Sequence, residues 1–148
     1  LSKYPNSEPD SVVNAAIPPV SERRVDGSLI GLSSELSVDI YTPYNAIADV
    51  KTGEVRSFHP LTLAGYALAL ESDEGAPIDF GFIIYVKSGR KVPSFTIKPV
   101  IIGEEVRREF LEVRDEAYRV VSLGKDPGKP SQCPTFCPYY GVCKAGGV

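Results

Sequence analysis

Two carboxylates and one ammonium stand where they could act together. Asp39 lies in the alternating stretch Leu36-Ser37-Val38-Asp39-Ile40. Ten residues on, Asp49 and Lys51 occupy i and i+2 of Ala46-Ile47-Ala48-Asp49-Val50-Lys51. Side chains two apart on a strand leave the same face. Sequential strands commonly pair, which can bring Asp39 beside Asp49. Oxygen ligands of this kind suit Mg²⁺ or Mn²⁺, and the backbone carbonyl of Val50 could add one more. The lysine would position or activate water and offset charge developing on a phosphate. Taken alone, D-x-K is better read as an exposed cross-turn pair with Glu54 and Arg56.

A second group is the three cysteines, Cys133, Cys137 and Cys143, packed into CPTFCPYYGVC. An odd number this close is a poor disulfide framework. Three thiolates can converge on a metal or an iron–sulfur cluster, but a four-thiolate site needs one more ligand. Spacing does not decide between zinc and iron–sulfur. An incidental C-terminal tail is the bland alternative, although Pro134, Pro138 and Gly141 punctuate the run like a ligand loop. The single histidine, His59, precedes Pro60. It could cap or solvate a helix there, or touch a metal or phosphate. Lys87, Arg90, Lys91 and Lys98 form a basic hairpin without an acid, able to contact phosphates or simply to be solvated.

The elements that must position these groups follow from periodicity. Residues 1–20, with Pro5, Pro9, Pro18 and Pro19, read as an extended lead-in. Ser28–Ile40 reads as strand, Tyr41–Asn45 as a turn and Ala46–Lys51 as a second strand. His59-Pro60 opens a helix that Gly75 stops. Residues 78–86, IDFGFIIYV, form a hydrophobic strand inside a sheet. Residues 91–102 return as an edge strand, because they hold Pro93 and Pro99. Gly103–Gly124 is a second helix, with Val106, Phe110, Val113, Ala117 and Val120/Val121 at helical spacing. This order gives a mixed α/β domain.

The chain has 148 residues, 43% of them hydrophobic, with 16 basic and 19 acidic side chains. That composition is globular, and whole-chain charge announces no nucleic-acid partner. Residues 1–86 carry net −7 and residues 87–129 net +3, an asymmetry that suits a polyanion approaching an acidic metal site. No apolar run is long enough for a membrane helix, and no signal peptide opens the chain. A cytoplasmic protein without a membrane partner is therefore expected. The chain has no Met and begins at Leu1, which reads as a fragment.

Asp39, then AIADVKTG, then a helix with Thr62 and Tyr66, then three terminal cysteines resembles the RecB-like branch of the PD-(D/E)XK nucleases. More narrowly it is similar to the CRISPR-associated RecB-type exonucleases of the adaptation module, over Ile17 to Cys143. The stretch IPPVSERRVDGSLIGLSSELSVDI resembles their archaeal subgroup. The resemblance implies a restriction-endonuclease-like α/β core, a mixed sheet flanked by helices, over 21–128, and an iron–sulfur cysteine loop over 129–148. It implies a metal-dependent DNA exonuclease with Asp39 and Asp49 on the cation, Lys51 catalytic and Tyr66 supporting the site or the DNA. Cys133, Cys137 and Cys143 would hold a 4Fe–4S cluster. DNA with single-stranded or unpaired ends and other CRISPR adaptation proteins would be the partners. Four departures stand beside it. Thr62 replaces the usual Gln, the spacing is C-x(3)-C-x(5)-C, and neither the fourth Cys nor the metal-site His that the family carries upstream is present. A non-catalytic DNA-binding or scaffold subunit is the alternative. A zinc-stabilised domain with no link to nucleic acid is a third reading.

Overall fold

The computed structural model describes residues 19–42, 44–87, 94–126, 128, 135 and 137–145. The chain divides into two compact units, Leu1–Glu112 and Val113–Val148. The first contains β1 (Val20–Val25), a 3-10 turn (Ser28–Ile30), β2 (Leu36–Thr42), β3 (Ala46–Thr52), helix α1 (His59–Glu74), β4 (Phe80–Lys87) and β5 (Ser94–Ile101). Helix α2 (Glu104–Ser122) begins in this unit and ends in the second, which also holds α3 (Tyr140–Ala145). No helix among the described residues is long and apolar enough to cross a membrane.

The five strands lie in chain order, β1-β2-β3-β4-β5. All neighbours are antiparallel except β3 and β4, which run parallel through the α1 crossover. A parallel pair requires such a connection, so α1 must lie over the strands it joins. Its burial fits: Leu63, Ala64, Ala67, Ala69 and Leu70 are sealed from solvent, spread over more than one stripe. One side of α1 meets the sheet. Another meets α2, whose Phe110 ring comes so close to Gly65 that a Cβ there would sit 2.8 Å from it. Gly75 closes α1 at φ 69, donating its N–H to the Glu71 carbonyl, a left-handed cap that favours glycine. The core joins these α1 residues to Val25, Val38, Ile47, Ile78, Ile83, Tyr85 and Ile102.

Several expectations are corrected. Ser28–Ile30 is a 3-10 turn, not strand, because Ile30 and Gly31 donate back to Gly27 and Ser28 and Gly31 adopts φ 72. Residues 1–18 of the expected lead-in lie outside the described residues, and Val20 is already strand; β1 is VSERRV, too charged for an alternation signal. β2 runs on through Tyr41 and Thr42, so the turn shrinks to its tip. The cysteine segment is not all loop, since Cys143 falls on α3. The apolar repeat of α2 is only half used: Val106 and Phe110 pack on the core, whereas Val113 and Val121 are exposed. The predicted edge position of β5 and the interior position of β4 are as found.

Candidate active site

β3 delivers Asp49 and Lys51 onto the face that α1 covers. Asp49 is only 1% exposed. The Lys51 ammonium lies 2.9 Å from both of its oxygens and hydrogen-bonds Oδ1. Oδ2 is buried with no hydrogen-bond donor among the described residues. Burial raises the Asp49 carboxyl above its ordinary value; Lys51 opposes that shift and Asp39 adds to it. The exposed cross-turn alternative fails here. Glu54 and Arg56 form their own exposed pair at 3.9 Å, and Asp49 is in the interior.

Asp39 reaches the same place edge-on. Its Oδ2 accepts the Val50 N–H at 2.7 Å, just beyond the last ladder pair, Ile40↔Ala48. In an antiparallel pair one residue's N–H and C=O point to the same partner, so the Val50 carbonyl also turns toward Asp39. The β1–β2 ladder skips this level, passing from Ser21↔Ile40 to Arg23↔Val38. Glu22, the residue skipped, has φ 52, sparsely populated for a non-glycine residue. Asp39 thus sits at a break in regular pairing, which frees its carboxylate to turn in the plane of the sheet.

α1 supplies Tyr66. Its phenol is pushed up to about 12, first by burial and then by the charges of Asp39, Asp49 and Glu22. It therefore stays protonated and keeps a hydrogen to donate. Thr62 lies one turn earlier, on the same side of the helix, and is half-buried.

Two neighbours were not legible as a pair. His59 is buried, and its Nδ1 sits 2.9 Å from the Tyr85 hydroxyl and 3.4 Å from the Arg56 N–H, which donates to it. Burial lowers its pKa, helped by Lys51 and Arg56 against Asp49. It neither caps nor solvates α1. Tyr85 faces Lys51 across the β3–β4 ladder. The available signal was a lone tyrosine in an apolar run, since a buried hydroxyl needs a partner. Of the basic hairpin, Lys98 stands 5.8 Å over the Tyr85 ring and Lys87 is exposed at the end of β4; Arg90 and Lys91 lie outside the described residues.

No group of three or more His, Cys, Asp or Glu converges among the described residues. The donors gathered here are two carboxylates and, by its orientation, the Val50 carbonyl. Oδ2 of Asp49, buried without a hydrogen bond although the Lys51 ammonium is 2.9 Å away, keeps lone pairs that fit a hard cation. Of the cysteines, Cys137 is a half-buried free thiol whose carbonyl accepts the Tyr140 N–H at 2.9 Å. Cys133 lies outside the described residues.

A mixed sheet with a helical crossover, carrying carboxylates and a lysine on adjacent central strands, defines a restriction-endonuclease-like fold. An exonuclease candidate from Eubacterium rectale shares it, with TM-score 0.55 and 19% identity over 87% of this chain and 52% of that one. The chain belongs to the family described as CRISPR-associated exonuclease Csa1, whose sequence profile matches residues 1–146. Its relative of that name in Saccharolobus solfataricus is 43% identical over 96% of this chain and 49% of that protein. The Thermoproteus tenax relative is 35% identical over 92% and 48%. The chain spans about half the length of these relatives.

Proposed function

We propose that this chain carries the hydrolytic centre of a metal-dependent DNA exonuclease of CRISPR systems. The buried Oδ2 of Asp49, which makes no hydrogen bond although Lys51 lies 2.9 Å away, supports this reading most directly. Asp39, Asp49 and the Val50 carbonyl would hold Mg²⁺ or Mn²⁺. Bound there, the cation would acidify a water and neutralise phosphate charge. Lys51 holds Asp49 in place and offsets charge at the scissile phosphate. Tyr66, protonated throughout the working pH range, donates to a phosphate oxygen or to the attacking water. Lys98, exposed on β5, offers a further phosphate contact.

The substrate is DNA with a single-stranded or unpaired end, processed in the cytoplasm alongside other CRISPR adaptation proteins during spacer acquisition. Three thiolates suit zinc and iron–sulfur alike, and the family resemblance favours a 4Fe–4S cluster on Cys133, Cys137 and Cys143, with its fourth ligand from elsewhere. Thr62, shorter than the family's usual glutamine, favours the second reading, a DNA-binding scaffold without cleavage. Cleavage of end-labelled DNA by the full polypeptide with Mn²⁺, against Lys51→Ala, tests the proposal. DNA binding without cutting in both proteins selects the scaffold. Iron near four per chain supports the cluster; one zinc and no iron overturns it.

A further inference from the structure

One face of β3 and β4 lies under α1. On the opposite face the ladders set apolar residues in rows, Val50↔Ile84↔Ile97 and, nearer the start of β4, Phe80↔Ile101. Phe95 extends the same face of β5. These are not covered: Phe95 is 69% exposed, Ile97 51% and Ile101 75%. The residues of β4 that point this way, Phe82, Ile84 and Val86, are only half-buried. A contiguous apolar surface on this scale marks an interface.

We propose that this face seats the part of the family-length polypeptide that the relatives carry outside the matched span. Three observations favour that occupant. About half of each relative lies outside the match, enough for a covering layer. All-parallel sheets have both faces covered, and the one parallel pair here, β3–β4, has a cover on one. None of the ladder positions on this face of β4 and β5 is charged, from Phe80 to Val86 and Phe95 to Ile101. Lys98 points to the opposite face. Permanent interfaces are the ones so depleted of charge at their centre, and an edge strand open to solvent is normally guarded by charge.

The test produces this chain in one cell with the unmatched half of the Saccharolobus solfataricus relative. A 1:1 complex is expected on size exclusion with light scattering. Ile97→Asp and Phe95→Asp should each weaken it at least tenfold, and Thr96→Asp, on the other face of the same strand, should leave it intact. All three positions are exposed, so circular dichroism should show an unchanged fold. Failure to form the complex, or equal binding by Ile97→Asp, overturns the proposal. So does a homodimer that Ile97→Asp dissociates, which would make a second copy the occupant. The readout is association alone, so it is independent of nuclease activity.

Discussion

Arg107 and Asp49 are both charged side chains sunk against α1, yet their surroundings are built in opposite ways. Arg107 is surrounded by acceptors. It donates to the carbonyls of Ile78 and Ile102, to Glu71 at 2.5 Å and to Asp79 at 3.1 Å. Glu71 also receives the Ile78 N–H at 2.7 Å. The cluster ties α2, α1 and the start of β4 together. Its acceptors raise the Arg107 pKa against the opposing effect of burial. Asp49 has a single cation, Lys51, 2.9 Å from both oxygens but hydrogen-bonded to only one of them. A buried charge network that closes on itself serves the fold; one that stays open is costly alone and makes sense when something else completes it.

The comparison breaks first on activity. Asp39→Ala, Asp49→Ala and Lys51→Ala should each lower DNA cleavage by the full polypeptide about 10²–10³-fold or more, as expected when charge stabilisation at the reacting group is removed. EDTA should stop cleavage. Single-turnover assays with matched circular dichroism check this; an unimpaired variant takes that residue out of the site, and cutting in EDTA ends the two-carboxylate reading.

Arg107→Met should do the converse. It leaves the half-buried Glu71 without its cation, and an unsatisfied polar group of this kind costs about 1–3 kcal/mol. The unfolding free energy from denaturant melts should fall by that amount, while cleavage per folded molecule holds. A loss below 1 kcal/mol would put the closed network on a par with a surface pair.

Asp49→Asn sharpens the contrast, because it should abolish cleavage and raise stability. The folded carboxyl titrates above 3.8. Between that value and the raised one, the folded chain keeps a proton that the unfolded chain has released. Stability therefore falls as pH rises through this window and stays lower above it. The asparagine variant lacks that slope. At pH 7 with EDTA it should be more stable by roughly 0.5–2 kcal/mol, the usual gain on relieving a strained site. Urea melts of both proteins from pH 4 to 8 decide it; equal curves would mean that Lys51 already offsets the burial of Asp49.

The site was more legible than the elements around it. Asp49 and Lys51 share a face by the two-residue period alone, and the β2–β3 hairpin made Asp39 a neighbour. α1 was framed by Pro60 and Gly75, whose backbone preferences are local. β1 escaped because Arg23 and Arg24 are there for partners elsewhere, Glu74 on α1 and Glu35 before β2. The 3-10 turn escaped because Leu29 and Ile30 look like strand until Gly31 turns left-handed. The pairing of His59 was missed because its partner Tyr85 lies on β4, far along the chain, and no local pattern links them. The open face of β5 was invisible for the same reason: alternation shows which residues share a face, not whether anything covers it.

The smallest expected effect is at Thr62. The position lies one turn before Tyr66 on α1, so both side chains look toward the site from the same stripe of helix. Threonine brings a hydroxyl on a short stem, whereas a glutamine amide would reach two carbons further and bring two donors and an acceptor. If the protein uses this stripe to hold water or phosphate, Thr62→Gln should keep activity or raise it up to about threefold, a free-energy change of about 0.6 kcal/mol. Stability should hardly move, because Thr62 is half-buried rather than sealed. The informative readout is kcat against KM with a defined single-stranded end: a better-held water raises kcat, and a better-held phosphate lowers KM. A severe loss with an unchanged melting curve would mean that this stripe of α1 does not face the reacting groups. Tyr66 would then leave the site with it, and the protonated phenol would be only a consequence of burial beside Asp39 and Asp49.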